Sequence, residues 1–490
     1  MGYILSIDQS TSGTKGLIWN RQGALVGRCD IPHRQITNDK GWVEHDPEEI
    51  YRNALTAAEA AIKEAGVKPE NIEVAGISNQ RETAICWDKF TGLPVYKAIV
   101  WQCGRAASIT EEMAAQGLGD LVKTKTGLNL SPFFSAAKFS WIVKNVPAAA
   151  EAVKNGSLCC GTVDAWLIYK LTGELKTDYS NASRTELLNL DTLTWDEDLI
   201  SVFGLKEACL PEICDSDSLF GYSDFGGLFP KGVPIHSVMG DSHAALFANN
   251  CTKQHMAKTT YGTGSSIMVN VGAQRPERAE GVVTSLAWGR NGEVVYVLEG
   301  NINYTGAVIK WLADNIGIIA ESSEAGDVAS SVTSNGGVYL VPAFSGLGAP
   351  YFSNNSRAII CGMSKATTRS HIVRAAEECV AYQIHDVVKA MNRSSDCPLS
   401  SIKADGGPTR DRFLMQFQAD ILGIPVEISS LEALSGAGAA YCAALGAGIA
   451  SEKEIFSSIR YRIIEPQMDS AQREKLLAGW NDAVRMIIKI

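Results

Sequence analysis

No stretch of this 490-residue chain approaches the ~20 uninterrupted apolar residues that a membrane helix needs, so no transmembrane segment is expected. The N-terminus has no basic segment leading into an apolar run, so no signal peptide is expected either. Met1-Gly2-Tyr3-Ile4-Leu5-Ser6 formally fits a myristoylation pattern, but the same residues read as a buried first strand with no free end to offer a lipid. There is no run rich in Lys and Arg, and the net charge is −10, which argues against nucleic acid and other polyanions as main partners. The 12 cysteines form no Cys-x-x-Cys and no His/Cys cluster with zinc spacing. Even the adjacent Cys159 and Cys160 are expected as reduced, small core residues of a cytoplasmic protein. Neither a Walker A loop nor a GxGxxG is present, and no low-complexity linker divides the chain.

What remains is a globular composition, 46% apolar and 20% charged, long enough for two domains of roughly 200–250 residues. Residues 3–7 are apolar and end in Asp8-Gln9-Ser10-Thr11-Ser12-Gly13-Thr14-Lys15; Gly16-Leu17-Ile18-Trp19 is apolar again. This reads as a hairpin whose tip is rich in hydroxyls and backbone donors. A similar unit starts at His255, turns at Gly262-Thr263-Gly264-Ser265-Ser266 and returns through Ile267-Met268-Val269. Two hairpins of one design, each starting a half of the chain, suggest an internal duplication, with chance likeness of two hairpins as the alternative. Asp46 before Pro47-Glu48-Glu49 predicts a helix start, with Ile50, Ala54, Ala57, Ala58 and Ala61 on its apolar face. Thr409 is expected to cap a helix running to Leu422, followed by an edge strand at Ile424-Pro425-Val426-Glu427-Ile428. Strands alternating with helices predict an α/β fold in each half, residues 1–247 and 248–490, packed directly with a cleft between them.

Five motifs carry chemistry. At the first hairpin tip, Thr11, Ser12, Gly13 and Lys15 offer phosphate hydroxyls, close backbone and a point charge. Asp8, at the strand end, is placed to hold Mg²⁺ through water, which that ion sheds reluctantly. The alternative is an ordinary polar turn. Gly262-Thr263-Gly264 repeats the logic in the second half. Asp405-Gly406-Gly407-Pro408-Thr409 places adjacent glycines before a helix, where a nucleotide can lie on backbone; Ser435-Gly436-Ala437-Gly438 reads better as close helix packing. Asp241, in Gly240-Asp241-Ser242-His243, is first an N-cap and second a general base for a substrate hydroxyl. Arg81 beside Glu82 offers a vicinal diol a forked donor and an acceptor, against a surface ion pair as the plain reading.

As an ordered set these residues resemble the FGGY family of carbohydrate kinases and, within it, the glycerol kinases. The likeness includes Gly41-Trp42-Val43-Glu44-His45-Asp46-Pro47, Ser78-Asn79-Gln80-Arg81-Glu82-Thr83, Val100-Trp101-Gln102-Cys103, Tyr261-Gly262-Thr263-Gly264, Val341-Pro342-Ala343-Phe344-Ser345-Gly346 and Asp405-Gly406-Gly407. The resemblance implies two actin-like, ribonuclease-H-type domains and transfer from Mg²⁺·ATP to a primary hydroxyl of a small polyol or sugar. It implies a homodimer or homotetramer in the cytoplasm, Asp241 as base and Asp8 on the metal. It places Arg81, Glu82 and Trp101 around the acceptor and Thr263, Gly306 and Gly407 at the nucleotide. Lys310 and Asp411 stand where the family usually has Gln and Asn. A non-catalytic sugar-sensing regulator of the same superfamily is the reading of another class; it would show a damaged base or phosphate turn, and both are intact here.

Three acceptor positions depart from the glycerol pattern: Phe133 for a Tyr, Ser242 for a Gln and Ser266 for a Phe. Lost hydrogen bonds at roughly 0.5–1.5 kcal/mol each, and a lost aromatic wall at roughly 1.5–3 kcal/mol, would lower efficiency on glycerol. The expectation is therefore a longer, four- or five-carbon acceptor with extra hydroxyls near Ser242, His243 or Ser266, and glycerol itself is the alternative.

Overall fold

The computed structural model describes residues 2–395 and 397–488. Two mixed sheets organise it. The first sheet holds β1 (Tyr3–Gln9), β2 (Gly13–Asn20), β3 (Leu25–Pro32), β4 (Ile72–Asn79), β5 (Gly221–Ser223) and β6 (Val233–Gly240), in the order β5-β6-β4-β1-β2-β3. The second holds β7 (Ala257–Tyr261), β8 (Ser265–Gly272), β9 (Val283–Arg290), β10 (Glu293–Ile302), β11 (Ile402–Asp405), β12 (Val426–Ser429) and β13 (Tyr461–Ile464), in the order β9-β10-β8-β7-β11-β12-β13.

The duplication expected from the hairpins extends to whole sheets. In the first, β1, β2 and β3 run antiparallel to their neighbours, β4 and β6 lie parallel beyond β1, and β5 closes antiparallel. In the second, β7, β8 and β10 repeat the antiparallel set, β11 and β12 the parallel pair and β13 the closing strand. β9 is extra, outside β10. Thus 426–429 is no edge strand: β13 covers it, and Pro425, with no N–H to give a ladder, stands just before β12.

Helices form where their caps dictate. The Asp46 carboxylate accepts from the Glu48 N–H and starts α1 (Pro47–Glu64), which buries Ile50, Ala54, Ala57, Ala58 and Ala61. The second-half helices used below are α4 (Gly306–Trp311), α5 (Arg369–Ser394), α6 (Arg412–Leu422) and α7 (Leu434–Gly446); α2 (Ser135–Asn145) and α3 (Asp241–Ala248) belong to the first half. The cap of α6 is Asp411, which accepts from the Leu414 N–H, because Thr409 instead sits in a 3-10 turn and donates to the Gly406 carbonyl.

Each sheet has its own apolar core, and a third joins them. In that third core Trp19, Met239 and Phe247 of the first half meet Met268, Trp288 and Tyr441 of the second. Here α7, from the second half, packs on α3, β4, β6 and β1 of the first. Its small residues make this possible: a methyl on Gly438 would overlap the Ala244 carbonyl, and one on Gly436 the Leu17 side chain. Among the described residues, no helix is long and apolar enough to cross a membrane.

Candidate active site

Because β4 and β6 run parallel to β1, their C-terminal ends deliver Asp8, the 80–82 segment and Asp241 to one sheet edge, where α/β sheets bind ligands. The ends of β7, β10 and β11 deliver Gly262, Glu299 and Asp405-Gly406-Gly407 from the second half.

The first hairpin tip is tightly built. Ser10 N–H donates to the Gly13 carbonyl at 2.8 Å. Lys15 Nζ lies 2.7 Å from Asp8 Oδ2, and Ser78 Oγ donates to Asp8 Oδ1 at 2.9 Å. Ser12 is exposed, whereas Thr14 is fully buried. Gly13 is required by strand pairing, since a Cβ there would meet the Ile31 carbonyl of β3. Thr11 Oγ1 accepts from Trp101 Nε1 at 2.9 Å, tying the tip to the indole. Among the described residues no three His, Cys, Asp or Glu side chains gather as a metal cage. Asp8, already taking two hydrogen bonds, has lone pairs left for metal-bound water, which suits Mg²⁺ carried in on a phosphate chain.

Arg81 and Glu82 are no surface pair. Both are buried, and each is held by a different partner. Arg81 gives one N–H from each terminal nitrogen to Glu299, both at 2.9 Å, and its Nε lies 3.2 Å from Asp241 Oδ1. One N–H on each terminal nitrogen is left for a substrate oxygen. Glu82, at φ 60°, accepts from Arg184 Nε at 2.6 Å, and Arg184 Nη1 stands 2.9 Å from Glu299 Oε2. Glu299 therefore clamps both arginines across the cleft. Burial works against its charge, but Arg184 and Arg81 outweigh that and hold its carboxyl well below the usual range. Burial likewise opposes charge on Arg81, and Glu299, Glu82 and Asp241 more than restore it. The sequence did contain a signal for Glu299: an acid directly after the apolar run Val294-Val295-Tyr296-Val297-Leu298. Arg184 and the buried Lys138 of α2 gave none. The Lys138 ammonium reaches the Phe133, Phe134 and Glu82 carbonyls, and burial pushes it down to about 7 against Glu82 and Glu186.

Asp241 is the first residue of α3, not its cap. Gly240 occupies the N-cap, so the carboxylate is not spent on capping; its Oδ1 meets the Ser242 N–H at 2.6 Å and Arg81 Nε at 3.2 Å. About a third of its side-chain surface, 34%, opens to the cleft. Burial raises its pKa, Arg81 pulls it back, and Glu82 adds to the rise. Trp101 and Phe133 meet edge to face at 5.5 Å, and Phe133 lines a cavity together with Arg184 and Glu299. Ser266 donates to Glu299 Oε1 at 3.4 Å, so its hydroxyl faces the clamp. Ser242 is half-buried, and His243 behind it is buried and kept neutral by burial and Arg81.

In the second half a cavity of about 420 Å³ is lined by Thr305, Gly306, Ile309, Glu377, Gly407 and Asp411, among others. Gly406, at φ 100°, has its α-carbon against the Tyr261 carbonyl, where no side chain fits, and Gly407 has open space beside it. Thr263 is exposed, and its carbonyl accepts from the Thr305 and Ala307 N–H groups at the start of α4. Lys310 lies outside the cavity: it is exposed and paired with Asp314 at 2.5 Å, one helical turn on.

Residues 3–248 match the N-terminal domain, and residues 257–447 the C-terminal domain, of the FGGY family of carbohydrate kinases. The chain is 49% identical to glycerol kinase 1 of Thermotoga maritima over 490 residues, 99% of each chain. It is 44% identical to a glycerol kinase of Carboxydothermus hydrogenoformans, covering 98% of this chain and 97% of the other. Its fold is similar to that of a Plasmodium falciparum glycerol kinase solved with ADP, with TM-score 0.93, 34% identity and 100% and 99% of the two chains covered. A xylulose kinase of Lactobacillus acidophilus shares the fold at TM-score 0.90 and 20% identity, with 99% and 98% covered. The chain belongs to the FGGY family of carbohydrate kinases, and its activity is phosphoryl transfer.

Proposed function

We propose that this FGGY kinase transfers the terminal phosphoryl group of ATP to a primary hydroxyl of glycerol, with Asp241 as general base. The observation that carries this reading is Asp241: a carboxylate not spent on capping, 34% exposed and beside Arg81, at the sheet edge that also carries Asp8. Phosphoryl transfer asks a protein mainly for positioning and charge, and a base of this kind contributes about 10²–10⁴ in rate. Asp241 takes the hydroxyl proton; the free N–H groups of Arg81, with the Glu82 carboxylate, orient the neighbouring hydroxyls; Trp101 covers the carbon face. Thr11, Ser12, the Gly13 backbone and Lys15 face the transferred group. Gly306, Gly407 and Asp411 line the nucleotide cavity. Asp8 would hold Mg²⁺ through water, and that ion would neutralise charge on the phosphate oxygens.

Glycerol is preferred over a four- or five-carbon acceptor because the relatives at 42–49% identity over the whole chain are glycerol kinases. The Ser266 hydroxyl turns to Glu299, and Phe133 packs on Trp101. A coupled ADP-release assay over three- to six-carbon polyols and ketoses tests the choice. The expected optimum is glycerol; an optimum on a tetritol, pentitol or ketopentose would overturn it and restore the reading from Phe133, Ser242 and Ser266.

A further inference from the structure

Glu377, on α5, lines the 420 Å³ cavity yet belongs to none of the motifs read from the sequence. Its side chain is buried, at 2% exposure, and no hydrogen bond from the described residues reaches its Oε2. The next residue shows the contrast. Glu378 accepts from Arg374 at 2.7 Å, Asn335 at 2.9 Å and Tyr382 at 3.2 Å, and is fully used in holding the fold. A buried carboxyl without such partners costs stability, and at a cavity wall a bound molecule can supply the missing hydrogen bonds.

We propose that Glu377 reads the nucleobase of the phosphoryl donor, donating to a ring nitrogen and accepting from the amino group on one edge of adenine. This rests on the reading of the cavity as the ATP site. Burial, and then the Asp411 carboxylate, push the Glu377 carboxyl well above its ordinary value. Among the described residues no cation offsets them: Arg410 lies exposed on the cavity lining, Lys310 is paired with Asp314, and Arg374 is taken by Glu378. A protonated carboxyl carries a donor and an acceptor side by side. Adenine presents the complementary pair, its 6-amino group beside N7 or N1. An ionised carboxylate could only accept, and would suit the adjacent N1–H and 2-amino group of guanine instead.

Calorimetric titration of ADP and GDP into the intact protein without acceptor tests this, with melting curves of the ligand-free protein as the folding control. Glu377→Gln, which also offers a donor beside an acceptor, should hold ADP near wild-type affinity. Glu377→Leu should lose about tenfold for ADP, the worth of two hydrogen bonds, with little change for GDP. It should also melt higher than wild type when ligand-free, because the stranded carboxyl is gone. Unchanged ADP affinity in Glu377→Leu would overturn the assignment. So would Glu377→Gln losing as much as Glu377→Leu, which would mark an anionic role. Failure of the wild-type protein to bind ADP would instead defeat the ATP-site reading itself.

Discussion

Asp241 owes its position to Gly240, whose place at the N-cap leaves the carboxylate to the cleft. Asp241→Asn keeps shape and hydrogen-bonding capacity but cannot take a proton. It is expected to lower kcat by about 10²–10⁴ while calorimetry still finds ADP and glycerol bound. The pH dependence has a definite sign. The base works deprotonated, and its folded pKa is raised by burial despite Arg81. Activity should therefore be lost as pH falls through a value above the ordinary aspartate value, and a pH–kcat/KM profile with no acidic limb, or with one below that value, would refute the role. Glu299 carries a different burden, a carboxylate shared by two buried arginines. Glu299→Gln removes the carboxylate the two buried arginines share, leaving Arg184 to Glu82 and Arg81 to Asp241, and should cost about 3–5 kcal/mol in denaturant unfolding. The acceptor KM should rise with it, because Arg81 loses its anchor.

Among the elements, α7 depends most on the absence of side chains. It crosses from the second half onto the first sheet and against α3, at a distance that only Gly and Ala allow. Gly438→Ala improves local helix propensity by about 1 kcal/mol. The added methyl would nonetheless overlap the Ala244 carbonyl, which is backbone and cannot rotate away. Net destabilisation of about 1–3 kcal/mol is expected in chemical unfolding, as for other overpacked sites. A gain in stability would show that α7 and α3 are less closely packed than described.

At the scale of the molecule, the two repeats are not two independent bodies. Trp19, Phe247, Trp288 and Tyr441 share one core across the division, and Arg81 and Glu299 lock across the cleft above it. We propose the division after residue 247, and expect neither 1–247 nor 248–490 to fold when expressed alone. The first would expose the sheet face that α7 covers, and the second would leave α7 bare. Coexpression of the two pieces should recover soluble, cooperatively melting protein. A separately expressed half with native-like circular dichroism and a sharp melt would refute this.

Local chemistry was legible from the chain itself. The cap at Asp46, the two glycine-bearing hairpins, the alternation of strands and helices, and the family motifs each need only neighbours in sequence. The family therefore followed, with Asp8, Asp241, Arg81 and Glu82 as its carriers. Where a side chain's role depends on what lies opposite, the chain alone misdirected. Thr409 gave way to Asp411 as cap, Val426–Ser429 gained a covering strand, and Lys310 turned to its own helix instead of the cavity. Arg81 and Glu82 read as neighbours, yet they are held by Glu299 and Arg184, 218 and 102 residues away. Pairing and burial of this kind are decided by which residues the two sheets bring face to face, and a sequence read along its length contains no such distance. The same is true of Glu377, which becomes notable only once the fold has closed around it and left it unpartnered.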